Sequence, residues 1–164
     1  MSNNKLGVSH EQRNHMKVFL GGTCKSDWRD NLIPMLECNY FNPVVKDWTY
    51  ECIKAENIQK IESAIHLYLI TPLMEGVYSI AEAVYEACDP RKIVLFVIME
   101  EDYYSKFSLA QIKSLDAVAA LIRDCGQDNY ALKLDNIADI NKVAEFINDL
   151  NERSFSQLNQ DHPF

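Results

Sequence analysis

The chain has 164 residues, with 16 Lys and Arg against 24 Asp and Glu, so its formal net charge is −8. That balance argues against a generically basic phosphate-backbone binder, and makes duplex DNA or an anionic membrane surface a poor partner. Hydrophobic residues make up 48% with only 5 Gly and 5 Pro, an ordinary composition for one globular domain around a single sizeable core.

The polar segment 1–15 has no apolar run after its basic residues, so it resembles neither a secretory signal nor a transit peptide and reads as flexible. No stretch is long and apolar enough to cross a bilayer. Cysteines 24, 38, 52, 88 and 125 are odd in number, far apart and never in a C-x-x-C pair. That spacing argues against a disulfide framework or zinc knuckle and points to a reducing cytoplasm. A single domain is expected over 16–152, with a polar tail over 153–164.

Taken in chain order, short apolar runs alternate with longer segments whose apolar residues recur every three to four positions. The runs are 17–21, 40–45, 65–70, 93–98 and 130–134. The middle ones are largely apolar throughout, as strands covered on both faces are; the last alternates and suits an edge. The helical stripes are Trp48, Cys52, Ala55, Ile58 and Ile61, then Leu109, Ile112, Leu115, Ala119 and Ile122, then Ile140, Val143, Ile147 and Leu150. Ser26 and Asp47 are expected N-caps and Gly126 a C-terminal stop.

Five strands separated by helices predict an α/β three-layer sandwich with an open parallel sheet, because parallel neighbours need crossover connections. The preferred order is 2-1-3-4-5, the flavodoxin-like arrangement. In it the first and third strands are neighbours whose following loops diverge to opposite faces and open a crevice. Chemistry is therefore expected after Leu20 and after Ile70.

After the first strand, Gly21-Gly22-Thr23 lets a ligand approach the backbone or merely makes a tight turn. Neither G-x-G-x-x-G nor a P-loop is present. After the third strand comes Thr71-Pro72-Leu73-Met74-Glu75-Gly76-Val77-Tyr78-Ser79-Ile80-Ala81-Glu82. Ser79-x-x-Glu82 has the spacing of a capping box, and the same geometry would put a carboxylate beside Met74, Tyr78 and Ser79 at the crevice mouth. Such a glutamate gains little from the helix N-terminus, and burial would raise its pKa.

The run KVFLGGT, then SDWRDNLIPML, YFNPVVKDWTYECIKAE and LYLITPLMEGVYSIAEAV, over 17–98, resembles the nucleoside 2-deoxyribosyltransferase-like family. The likeness is to its divergent branch with an NPVV-x-DW element and an S-I-A-E-A helix start. The resemblance implies cleavage of the N-glycosidic bond of a 2-deoxyribonucleoside or its 5-phosphate, by transfer or hydrolysis. Glu82 would attack the anomeric carbon to form a deoxyribosyl ester, Glu75 would be the accompanying acid, and no cofactor or metal would be needed. It also implies a homo-oligomer with shared pockets. Phe19 stands where better-known members carry a tyrosine, Glu75 directly adjoins Gly76, and no C-terminal asparagine has a recognisable counterpart. A non-catalytic nucleotide-binding or sensing module is the alternative, and an interaction protein with a vestigial crevice a third.

Further contacts are expected from Asn42 and Pro43 after the second strand, from Asp47, and from Trp28 and Arg29, where Arg29 either pairs a 5-phosphate or lies on a solvated helix face. His66 reads as a hydrogen-bonded core residue. His10, His15 and His162 lie near the ends and form no metal cluster. Cys24 is expected to be exposed and oxidisable, and Glu100, Glu101 and Asp102 to form a solvated loop. A small nucleoside or nucleotide is the expected partner, with no polynucleotide or membrane.

Overall fold

The computed structural model describes residues 16–47 and 49–160, so the expectations on 1–15, Trp48 and 161–164 lie outside the described residues. Strands β1 (Lys17–Gly22), β2 (Asn39–Phe41), β3 (Ile65–Ile70) and β4 (Ile93–Met99) precede a two-stranded hairpin, β5 (Glu101–Asp102) and β6 (Ser105–Lys106), and then β7 (Tyr130–Leu134). The helices are α1 (Trp28–Leu32), α2 (Tyr50–Glu62), α3 (Tyr78–Ala87), α4 (Leu109–Cys125) and α5 (Ile140–Gln160). The main sheet is parallel throughout, in the order β2-β1-β3-β4-β7. With β7 as its fifth strand, this is the flavodoxin-like order expected from the sequence.

Alternation along the strands divides the core in two. Val18, Leu20, Leu67, Leu69, Leu95 and Val97 pack with Trp28 and Leu32 of α1 and with Val143 and Ile147 of α5. Phe19, Tyr68, Ile70, Phe96 and Ile98 pack on the other face with Ala83 of α3 and with Leu115 and Ile122 of α4. The chain leaves β1 towards one face and neighbouring β3 towards the other, and this divergence opens the sheet at its carboxyl edge.

Four local expectations are corrected. The second strand stops at Phe41 instead of reaching Val45, because Asn42 Oδ1 accepts from Val44 N at 3.1 Å to make a turn and Pro43 has no N–H for a ladder. Ser26 and Asp47 cap nothing: α1 starts after Asp27 without a side-chain cap, and α2 is capped by Thr49, whose hydroxyl accepts from Cys52 N at 3.3 Å. Of the tail expected over 153–164, residues 153–160 continue α5. Asp102, expected in a solvated loop, is buried within the β5–β6 hairpin.

The stripe expected to bury α2 faces outward, with Ile58 and Ile61 exposed, the latter at 79%. The inward face instead carries Glu56, Gln59, Lys60 and Ser63. Polar groups waiting beneath it account for the reversal: His66 Nε2 lies 3.1 Å from both Lys60 O and Ser63 O, and Lys60 meets Glu82 of α3. On α4, Leu115, Ala119 and Ile122 are buried as expected but Leu109 is exposed; on α5 the whole stripe is buried.

Candidate ligand crevice

At the carboxyl edge of β1 and β3 lies a hollow of about 230 Å³, somewhat below the usual span of ligand clefts. One wall is the main chain that follows β1, Gly22 to Lys25; the other runs from Leu73 to Gly76 and onto Tyr78 and Ser79 at the start of α3. The first wall is rigid for reasons visible in its bonds. Gly22 has φ +114°, and a Cβ there would stand 2.1 Å from Leu69 O, so only glycine allows β1 to lie this close to β3. Thr23 N donates to Leu69 O at 2.9 Å, and Thr23 Oγ1 accepts from Thr71 N at 2.9 Å, which ties the two loops together.

Arg29 and Trp28 support this wall from behind and do not line the hollow, which corrects their expected ligand contacts. Arg29 Nε donates to Leu20 O at 3.0 Å, Nη1 to Thr23 O at 2.8 Å and Nη2 to Gly22 O at 3.4 Å. Because β2 pairs only with Lys17–Phe19, the distal half of β1 has no neighbour on that side, and the buried guanidinium takes its place. Trp28 Nε1 also donates to Thr23 O, at 3.0 Å, and the guanidinium carbon sits 4.2 Å from the Trp28 ring centroid. Burial lowers the Arg29 pKa to about 10. Neither a 5-phosphate role nor a solvated face fits a side chain spent on main-chain carbonyls.

Of the other expected contacts, Gly22, Thr23, Met74, Glu75, Gly76, Tyr78 and Ser79 come together around the hollow. Gly21 lies one step inside, where an added Cβ would meet the Tyr68 ring at 2.6 Å. Asn42, Pro43 and Asp47 sit after β2 and are not among the lining residues. Ser79 Oγ reaches Gly22 O at 3.5 Å across the opening. Tyr78 is 73% exposed at the lip, and Glu75 is exposed and ion-paired with Lys25. Sequence reasoning missed Lys25 and Leu73; Lys25 lies two residues beyond the glycine turn it did single out.

Glu82 is placed differently from expectation. Because α3 already begins at Tyr78, with Val77 as N-cap and no side-chain cap bond, the Ser79–Glu82 capping box does not form. Glu82 then falls in the second turn, where its carboxylate turns towards α2 and is not among the groups lining the hollow. There Lys60 Nζ pairs with it and also lies 2.9 Å from Glu56 Oε1; the Lys60 and Glu82 side chains are only 11% and 13% exposed.

The electrostatics follow from one ammonium shared by two carboxylates. Burial raises the Glu82 pKa, and Glu56 and Glu86 add to the rise, more than Lys60 opposes it. Burial works against the charge on Lys60, yet its hydrogen bonds to Glu82 and Glu56 outweigh that and raise its pKa. Its Nζ also stands 5.2 Å from the Phe19 ring centroid. Glu56 and Lys60 share a face of α2 at i,i+4, a signal the sequence offered and the apolar stripe obscured.

Two further groups complete this interior patch. His66, buried as expected, faces two carbonyls through Nε2, so that nitrogen carries the proton and Nδ1 is left without a partner. Burial lowers its pKa and keeps the ring neutral. Tyr68 is fully buried with an unpartnered hydroxyl, and burial, with Glu82 the foremost of the nearby charges, pushes its pKa far up. It supplies, one strand over, a tyrosine in the neighbourhood where Phe19 offers none; the Phe19 and Tyr68 ring centroids are 6.2 Å apart.

No group of three or more His, Cys, Asp or Glu among the described residues could hold a metal ion, and no helix among them is long and apolar enough to cross a membrane. Comparison with protein-family models, curated proteins and solved structures finds no match to this chain.

Proposed function

We propose that the protein binds a small nucleoside or nucleotide in the crevice between β1 and β3. The observation that carries this reading is the crevice itself: a switch-point hollow walled on one side by the main chain after β1, with the Ser79 hydroxyl facing that wall, an aromatic ring at the lip and a lysine beside it. Tyr78 suits stacking on a base and Lys25 suits a 5-phosphate, with its pairing to Glu75 exchanged for the ligand. The motif resemblance over 17–98 points to the same ligand class. Differential scanning fluorimetry with deoxynucleosides and their 5-phosphates tests it, because a ligand selective for the native state must raise its stability. Absence of any shift at saturating concentration would defeat the proposal.

A second reading, cleavage of the N-glycosidic bond through an ester on Glu82, is favoured by one observation: a buried carboxylate with a raised pKa and a tyrosine nearby whose hydroxyl is unspent. It requires Lys60 to release Glu82 and α3 to turn the carboxylate to the sugar. Chromatographic detection of free base separates the readings, and loss of release in Glu82→Gln with ligand binding retained is its expected signature. We also propose that copies of the chain associate through the outward face of α2, where Tyr50, Ile53, Ile58 and Ile61 are exposed; light scattering giving 18.9 kDa would oppose this.

A further inference from the structure

Away from the crevice, α3 and α4 end side by side, and each carries a cysteine at its last turn. Cys88 is the C-cap of α3 and Cys125 the last residue of α4. Although 37 positions separate them in sequence, the two sulfurs lie 3.5 Å apart and both thiols are free. The juxtaposition is built into the fold. The buried Asn129 amide donates to Ala87 O at 2.9 Å and to Ile122 O at 3.1 Å, and its oxygen accepts from Val94 N at 3.1 Å. One side chain thereby clamps both helix ends to β4. Gly126 allows the same closeness, since a Cβ there would meet the Asn129 amide nitrogen at 3.1 Å.

We propose that Cys88 and Cys125 are a modification site that closes to an intramolecular disulfide on meeting a low-molecular-weight disulfide such as oxidised glutathione. A bond length of about 2.0 Å asks each sulfur to move by less than about 1 Å, within reach of side-chain rotation at a helix end. The Cys88 thiolate attacks one sulfur of the small disulfide, forming a mixed disulfide and expelling one small thiolate. Cys125, after losing its proton to solvent, attacks the Cys88 sulfur, closes the protein bond and expels the second thiolate. Two protein thiols are oxidised, one small disulfide is reduced to two thiols, and the two protons end on those thiols.

The order follows from access: Cys88 is exposed and Cys125 half-buried. Its hydrogen bond with Cys88 raises the Cys125 pKa, which leaves Cys88 as the thiol that attacks first. Spacing argued against a disulfide framework, and a reversible bond of this kind is compatible with that, because it forms on a fold that already stands without it.

The test is to equilibrate the full chain in mixtures of oxidised and reduced glutathione, block residual thiols, and map the digested peptides by mass. The expected product is a linked pair of peptides holding Cys88 and Cys125, two hydrogens lighter than the free thiols, in a chain of unchanged monomer mass under denaturing conditions. Cys125→Ser is expected to accumulate glutathione on Cys88, whereas Cys88→Ser leaves Cys125 slow to react. Closure is expected to raise Tm by about 5 to 10 °C through the long loop it ties. Glutathione persisting on Cys88 of the native chain, reaction confined to Cys24 or Cys52, or a link between chains would each overturn the proposal.

Discussion

Replacing Arg29 by Met tests the support behind the crevice wall. Met keeps much of the side-chain volume over Trp28 but donates nothing. Thr23 O retains Trp28 Nε1 at 3.0 Å and Gly22 O retains the Ser79 hydroxyl at 3.5 Å, so the carbonyl left without a partner is Leu20 O. One orphaned buried acceptor costs about 1 to 3 kcal/mol. Against this, Met removes a buried charge: the lowering of the guanidinium pKa to about 10 corresponds to about 3 kcal/mol of unfavourable burial. Loss of the stacking on Trp28 adds about 1 kcal/mol. The balance is a change in stability of about 1 kcal/mol or less, and Arg29→Ala, which also opens a cavity, is expected to cost about 2 kcal/mol more. Urea unfolding followed by tryptophan fluorescence and far-ultraviolet circular dichroism measures both. A Met variant less stable than the parent chain by about 3 kcal/mol or more would refute the reasoning, since it would mean that burying the guanidinium costs far less than its bonds return.

Lys60→Met is expected to cost about 3 to 5 kcal/mol, because it strands Glu56 and Glu82 as neighbouring buried carboxylates, whereas Glu82→Gln leaves Lys60 its partner Glu56 and changes stability by about 1 kcal/mol or less; equal losses in urea titrations would contradict the shared-cation arrangement. Tyr68→Phe removes a hydroxyl that bonds to nothing in the fold, so stability is expected to hold or rise by about 1 kcal/mol, and a clear loss of Tm would show that the hydroxyl has a structural partner. Burial raises the Cys38 pKa to about 11 from 9.0; an acid raised in the folded state contributes stability that is complete below the unfolded value and is lost as pH climbs through the folded one. The parent chain is therefore expected to lose about 2 to 3 kcal/mol more than Cys38→Ala between pH 9 and pH 11, and parallel stability curves for the two proteins would disprove this.

How much of this was legible in the sequence depends on which force shaped each element. β3 and β4 are continuous apolar runs, and burial on both faces leaves such a run little alternative, so their bounds were nearly right from pattern alone. The parallel order followed from the connections, and the crevice followed from the order. The α2 stripe misled because periodicity reports an apolar face without saying what it meets, and Lys60, Glu56 and His66 had already claimed the interior. Arg29 was misread in both of its expected roles because its acceptors are carbonyls vacated by the shortness of β2, a fact of register with no trace in residue identity. Glu82 lay two residues further into its helix than the capping pattern implied, and at about 100° per residue that shift decides whether a side chain faces a cavity or a neighbouring helix.

The two sides of the crevice differ in what holds them, and that difference sets how the pocket can diversify. Gly22 and Thr23 present main chain locked by Leu69, Thr71 and Arg29, so exchanging side chains there disturbs the scaffold before it alters recognition. Across the gap, Met74, Glu75 and Tyr78 stand on a turn and the first residue of a helix, Glu75 and Tyr78 well exposed to solvent. Descendants of this chain can therefore retune the ligand they accept by drift on that bank alone, while the opposite bank is inherited unaltered.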